Sequence, residues 1–140
     1  MRRLDPLTRE QRSRQMALVR GKDTGPELTV RRALSRLGYR YRLHPGNVPG
    51  RPDIVIRRLR SAIFVHGCFW HRHSGCARTR VPKSRVEFWR RKFAENVARD
   101  RHVRARLRRE GWRILVVWEC VSEKPGYVEK KLLAFLGGGR

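Results

Sequence analysis

Three of the five histidines and two of the three cysteines fall within thirteen residues, in the run Phe64-Val65-His66-Gly67-Cys68-Phe69-Trp70-His71-Arg72-His73-Ser74-Gly75-Cys76. Thiolates and imidazoles at such short spacing are metal ligands, and histidines left over are suited to moving protons near neutral pH. Upstream, Pro49-Gly50-Arg51-Pro52-Asp53-Ile54-Val55-Ile56 sets a carboxylate where an apolar, β-branched run begins. A hard cation held by carboxylate and carbonyl oxygens, with a base near the attacking water, is what phosphodiester hydrolysis requires.

Cys68, His73, Cys76 and the remote Cys120 make a Cys3His set, a standard complement for closed, tetrahedral structural zinc. His71 is an alternative to His73 as the nitrogen ligand. Buried thiols with surface histidines is the plainer reading, and the local Cys-x4-His-x2-Cys spacing argues against it. If His73 takes the zinc, His66 and His71 stay free as proton carriers. Asp53 taken alone could simply end a Pro-rich loop, and Glu27 could simply complete a helix cap. Their occurrence alongside the histidine cluster favours a catalytic reading for both.

These residues need elements to position them. Thr24-Gly25-Pro26-Glu27 has the form of a capping box and opens a helix with Val30, Ala33, Leu34 and Leu37 at helical period, ended by Gly38. A helix is also expected over residues 9–19. Residues 39–44 read as a short strand and 45–52 as a loop. Residues 53–57 and 61–66 then form a hairpin-like pair around Arg58-Leu59-Arg60. The run Ala62-Ile63-Phe64-Val65 is continuously apolar, which places its strand centrally. A metal-rich loop spans 67–82. Ser84-Arg85-Val86-Glu87 offers a second capping box for a long basic helix to Glu110, with Val86, Trp89, Phe93 and Val97 on one stripe. Residues 112–118 form another buried strand, and 126–136 a last helix. If strand 112–118 lies beside strand 62–66, both exit at one sheet end and Cys120 meets the other ligands. The sum is one α/β domain over residues 1–140, with a basic, partly flexible N-terminal segment (1–22) contacting DNA.

Composition narrows the class. Net charge is +23, from 35 basic residues against 12 acidic. Such an excess favours a polyanionic partner, because each neutralised phosphate releases a condensed counterion. Nucleic acid is the expected partner, and no membrane is. The N-terminus is charged and no apolar run approaches the ~20 residues of a spanning helix, so neither a signal peptide nor a span is expected. Three cysteines cannot close a disulfide framework, which fits a reducing cytoplasm.

In order along residues 12 to 120, the chain carries Arg12-Ser13-Arg14-Gln15-Met16, Asp23-Thr24 with Glu27, Pro49-Gly50-Arg51-Pro52-Asp53, His66-Gly67-Cys68-Phe69-Trp70-His71, Glu87-Phe88-Trp89, Asn96-Val97 with Arg99-Asp100-Arg101, Gly111-Trp112-Arg113, and Val117-Trp118-Glu119-Cys120. In these motifs it resembles the very-short-patch repair (Vsr) mismatch endonucleases. The resemblance implies a restriction-endonuclease-like α/β fold, with a central mixed sheet flanked by helices. It implies nicking 5′ to the thymine of a T·G mismatch left by deamination of 5-methylcytosine. On the matching positions, Asp53 is implied as ligand of a catalytic Mg2+, His71 as general base, and His66 as a second catalytic histidine on the scissile phosphate. Glu27 is implied to hold waters on the metal, and Cys68, His73, Cys76 and Cys120 to bind structural Zn2+. Val65 departs from the family, standing where a threonine is associated with the metal, so only its main-chain carbonyl can serve.

Met16, Phe69 and Trp70 resemble the wedge that this family inserts beside the mismatch, where a wobble pair unstacks more cheaply than a matched one. Packing beneath the zinc loop is the alternative for Phe69 and Trp70. For Trp89, core packing and DNA stacking weigh evenly. The expected protein is a monomeric nickase of double-stranded DNA containing a T·G mismatch. Its rivals are a restriction-type nuclease of the same fold, which would cut matched duplex, and a non-catalytic zinc DNA-binding module, which would bind without cutting.

Overall fold

In a computed structural model, residues 24–137 are described. The helix expected over residues 9–19, with Met16 and the basic segment 1–22, lies outside the described residues. The elements are α1 (Gly25–Arg36), β1 (Arg42–Leu43), β2 (Ile54–Ile56), β3 (Ser61–His66), α2 (Cys68–His71), α3 (Val86–Arg109), β4 (Arg113–Trp118), α4 (Glu119–Ser122) and α5 (Tyr127–Gly137). A 3-10 turn, Arg57–Leu59, joins β2 to β3.

The four strands form one mixed sheet in the order β1-β2-β3-β4. The β1–β2 and β2–β3 pairs are antiparallel, whereas β3 and β4 run parallel, with Ile63 opposite Leu115 and His66 opposite Trp118. A parallel pair needs a long crossover, and the 24-residue α3 supplies it. The apolar run in β3 is central, as its composition requires, because helices cover both faces of the sheet.

Strand alternation sorts the core. Ile54, Ile56, Ile63 and Val117 pack against Val30, Ala33 and Leu34 of α1 and Val128, Leu132 and Leu136 of α5. On the opposite face Val55, Ala62 and Phe64 meet Leu107 of α3, together with Trp112 and Val48. Each fully buried aliphatic side chain among these contributes roughly 1.5–3 kcal/mol relative to exposure. His66 shares the parity of Ala62 and Phe64, so alternation turns it toward the α3 side. Gly50 keeps the loop before β2 close to α3: at φ +76°, a Cβ there would lie 2.1 Å from Cγ1 of Val103.

Several local expectations needed adjustment. The strand expected over 39–44 shortens to Arg42–Leu43, since only β2 is there to pair with it. The box at Ser84 does not cap α3: Arg85 is the N-cap residue, in the left-handed region at φ 55°, and no side chain caps that end. At Thr24 the cap is real, its side chain accepting from the Glu27 N–H at 3.3 Å. The metal-rich loop holds the short helix α2, and α4 follows β4 directly; neither was anticipated, because four-residue helices leave no periodicity to read. Among the described residues no helix is long and apolar enough to cross a membrane.

Candidate functional site

Two clusters of metal-ligating side chains sit at the end of the sheet where β3 and β4 leave it. The first is the Cys3His set. Because β3 and β4 are parallel and His66 is level with Trp118, Cys68 and Cys120 leave the sheet side by side. The Cys120 N–H donates to Sγ of Cys68 at 3.4 Å, and Nδ1 of His73 lies 3.6 Å from Sγ of Cys68 and 3.3 Å from Sγ of Cys120. Ligand atoms at zinc bonding distances of ~2.0–2.3 Å stand about 3.3–3.8 Å apart in a tetrahedron. Cys76 completes the group, with one atom of each residue within 4.8 Å of the others. It is His73, not His71, that turns to the thiolates. Burial pushes the Cys68 thiol up to about 12, so a cation is needed to hold it as thiolate near neutral pH. The four residues fit a tetrahedral metal.

Arg72 braces this loop. Its guanidinium donates to the carbonyls of Phe69 and Thr79 and lies 3.8 Å over the Phe93 ring of α3. Arg78 makes paired hydrogen bonds to Glu123 at 3.0 and 2.7 Å, tying the loop to the segment after α4.

The second cluster lines a cleft of about 490 Å³. Asp53, on the residue before β2, accepts from the Val65 N–H at 2.7 Å. Burial raises its carboxyl above the ordinary value; the Val65 hydrogen bond opposes that rise and nearby Glu27 adds to it. Glu27 is 1% exposed, a charge that could not be buried unpaired. Its carboxylate meets Nε2 of His44 at 3.1 Å and Arg31 at 3.5 Å. Glu27, His44 and Asp53 each bring a ligand atom within 4.8 Å of the others, and so do His66, His71 and Asp100.

His66 and His71 stack face to face, ring centres 3.8 Å apart and 7° from parallel. Nδ1 of His71 is 2.7 Å from the Asp100 carboxylate, which fixes the ring and leaves Nε2 as its free nitrogen. For Asp100, burial acts upward, but the His71 hydrogen bond and charge outweigh it and hold the carboxyl below its ordinary value. Burial, reinforced by the adjacent His71, lowers His66 to about 3, so its imidazole is neutral near pH 7. Its Nδ1 is buried without a hydrogen-bond partner among the described residues.

Phe69, Trp70 and Trp89 are half-buried. They form one aromatic group with Phe93: Phe69 is 5.1 Å from Phe93 and 6.0 Å from Trp89, and Trp70 is 5.8 Å from Trp89. Phe69 and Trp70 also line the cleft. Asn96 of α3 donates to the Trp70 carbonyl at 3.1 Å, holding α2 in place.

The structure thus unites Glu27, Asp53, Val65, His66 and His71 around one cleft and gathers Cys68, His73, Cys76 and Cys120 beside it. Met16 lies outside the described residues. Sequence reasoning assigned no role to Asp100 or His44. The available signal for Asp100 was its place in the family-like run Asn96-Val97 with Arg99-Asp100-Arg101. His44 gave none, because only strand register brings it to Asp53.

The family model for "DNA mismatch endonuclease Vsr" matches residues 4–78. The chain is 48% identical over 128 residues to the type II nicking enzyme V.XorIIP of Xanthomonas oryzae pv. oryzae, covering 91% of this chain and 93% of that protein. It is 44% identical over 109 residues to the DNA mismatch endonuclease Vsr of Escherichia coli, covering 78% and 69% respectively. To the type II nicking enzyme V.NmeAIP of Neisseria meningitidis it is 37% identical over 128 residues, covering 91% of each.

Proposed function

Because the chain belongs to the DNA mismatch endonuclease Vsr family, we propose that it nicks one DNA strand 5′ to the thymine of a T·G mismatch. Such a mismatch arises by deamination of 5-methylcytosine, and the nick would initiate very-short-patch repair. The observation that carries this reading is the cleft itself: Asp53, fixed by the Val65 N–H at 2.7 Å, shares it with the stacked pair His66–His71. The mixed sheet between helices, with its acidic residue at a strand end, supports a restriction-endonuclease-like core.

The Asp53 carboxylate and the Val65 carbonyl are suited to Mg2+, with Glu27 placed to hold waters on it; the ion when bound supplies Lewis-acid stabilisation of phosphate charge. His71 acts as general base: Asp100 holds Nδ1, and Nε2 takes the proton of the attacking water. His66, neutral and stacked on His71, offers a hydrogen bond to the scissile phosphate. Cys68, His73, Cys76 and Cys120 would hold Zn2+, and the filled site would anchor α2, which carries Phe69, Trp70 and His71. Phe69 and Trp70, backed by Trp89 and joined by Met16, enter the duplex beside the mismatch and replace stacking lost there. The +23 charge supplies the sequence-independent part of DNA affinity. The enzyme acts as a monomer in the cytoplasm.

The test is strand-resolved nicking of duplexes that differ only by a T·G pair in place of C·G, in several sequence contexts, with Mg2+ or with EDTA. Mg2+-dependent nicking confined to the thymine strand of the mismatched duplex is expected. Equal cutting of matched duplex would make it a restriction-type nuclease, and binding without cutting a zinc DNA-binding module.

A further inference from the structure

Sheet register does something at this cleft that motif reading does not reveal. The β1–β2 ladder pairs Arg42 with Val55 and Leu43 with Ile54. One step on, the His44 N–H donates to the Asp53 carbonyl at 2.9 Å, so His44 stands directly opposite Asp53. Its backbone is in the left-handed region, φ 46°, a strained conformation for a residue other than glycine. The imidazole is half-buried, and Nε2 lies 3.1 Å from Oε2 of Glu27. A nitrogen and two carboxylate oxygens, from three separate parts of the chain, thereby come within 4.8 Å of one another.

We propose that His44 is a third protein ligand of the catalytic cation, beside Asp53 and the Val65 carbonyl, adding a nitrogen to an otherwise all-oxygen set so that the site, with Glu27 against it, favours first-row transition metals. This rests on the endonuclease reading of the same cleft. Mg2+ is a hard cation that prefers oxygen donors and keeps several waters, whereas an imidazole nitrogen raises affinity for borderline cations in the order Mn2+, Fe2+, Co2+. A site with His44 therefore holds Mn2+ more tightly than Mg2+. The competing account of His44 is that it only neutralises buried Glu27. That role is blind to the identity of the metal, so the two accounts separate by experiment.

The protein is loaded with Zn2+ first, so that the thiolate site is filled, and Mn2+ is then added. Electron spin-echo spectroscopy of the bound Mn2+ reads nitrogen ligation directly. A 14N modulation is expected in the wild type, changed to the 15N pattern by 15N-histidine labelling, lost in His44→Gln and retained in His66→Gln. Mn2+ affinity of His44→Gln should fall by at least about tenfold, the lower bound for loss even of an outer-shell partner, with a smaller loss for Mg2+. The Mn2+-to-Mg2+ ratio of nicking rates should fall in the same direction. Nitrogen modulation that survives His44→Gln, or vanishes in His66→Gln, overturns the proposal. So does its absence from the wild type, a result that needs no variant to fold. If wild type lacks that modulation yet nicks T·G duplex with Mg2+, the ligand proposal fails and the endonuclease reading stands. If the modulation is present but no duplex is nicked, the ligand assignment stands and the endonuclease reading fails.

Discussion

The thiolate knot and the carboxylate–histidine cleft are neighbours, yet they are built on opposite principles. Three of the four knot ligands lie within nine residues, and the fourth arrives through a single parallel strand pairing. The cleft draws Glu27 from α1, Asp53 from the residue before β2, His66 from β3, His71 from α2 and Asp100 from α3, and His44, the residue after β1, stands against Glu27 beside it. The knot is a local loop whose four ligands a metal could close. The cleft is a product of the whole fold, with its charges buried before any metal arrives. Stability is therefore expected to depend on metal at the knot, and activity on geometry at the cleft.

Asp53→Asn breaks the comparison most sharply. Nicking should fall by roughly a thousandfold or more, since the residue belongs to a unit whose members are not replaceable singly. Stability should move the other way. The folded pKa of Asp53 is raised, so its contribution favours folding at a pH below its unfolded value and is lost as pH rises through the folded value. At neutral pH the charge is a cost, and its removal should raise Tm in metal-free protein. Calorimetry of wild type and variant at pH 7 checks this; a lower Tm in the variant would show that the cleft is not a strained site.

Removing metal from the knot should be the largest stability effect. Stripping Zn2+ with a strong chelator, or Cys76→Ala, is expected to lower Tm by more than about 10 °C, because a closed structural zinc site contributes folding energy outright. The four ligands contribute through one ion, so Cys76→Ala should add little once the protein is stripped. Additive losses would mean the thiols act as core packing. Asp100→Asn sharpens the cleft side: it should cut kcat by roughly ten- to a hundredfold with KM and Tm little changed, as loss of an orienting partner does. Single-turnover kinetics read that effect. At the small end, Arg78→Ala removes an exposed pair with Glu123. Its effect on Tm should be close to nil, and smaller still in high salt.

Legibility followed the same division. The Cys-x4-His-x2-Cys run announced the knot, and the apolar runs 62–65 and 114–117 foretold two strands. Of these β3 is buried, but β4, expected to be buried, is mostly half-buried, and it is their parallel pairing that brings in Cys120. The helix at Thr24 was readable because its cap chemistry is local, and the structure keeps that cap. Ser84 offered the same letters and failed, because Arg85 takes the left-handed conformation and holds the cap position itself. Nothing in the composition around Asp100 tied it to His71, 29 residues away.

What the sequence determined alone is the part written at short range: the basic balance, the cap at Thr24, the strand periodicity and the thiolate spacing. It also carried the motif set that marks the family. The tertiary structure decided which nitrogen meets which oxygen. It turned His73 rather than His71 to the thiolates, stacked His71 on His66, and put His44 opposite Asp53. The physical reason is register. A side chain's partner across a sheet is fixed by pairing and alternation, both properties of two strands at once, and a single run of residues cannot state them.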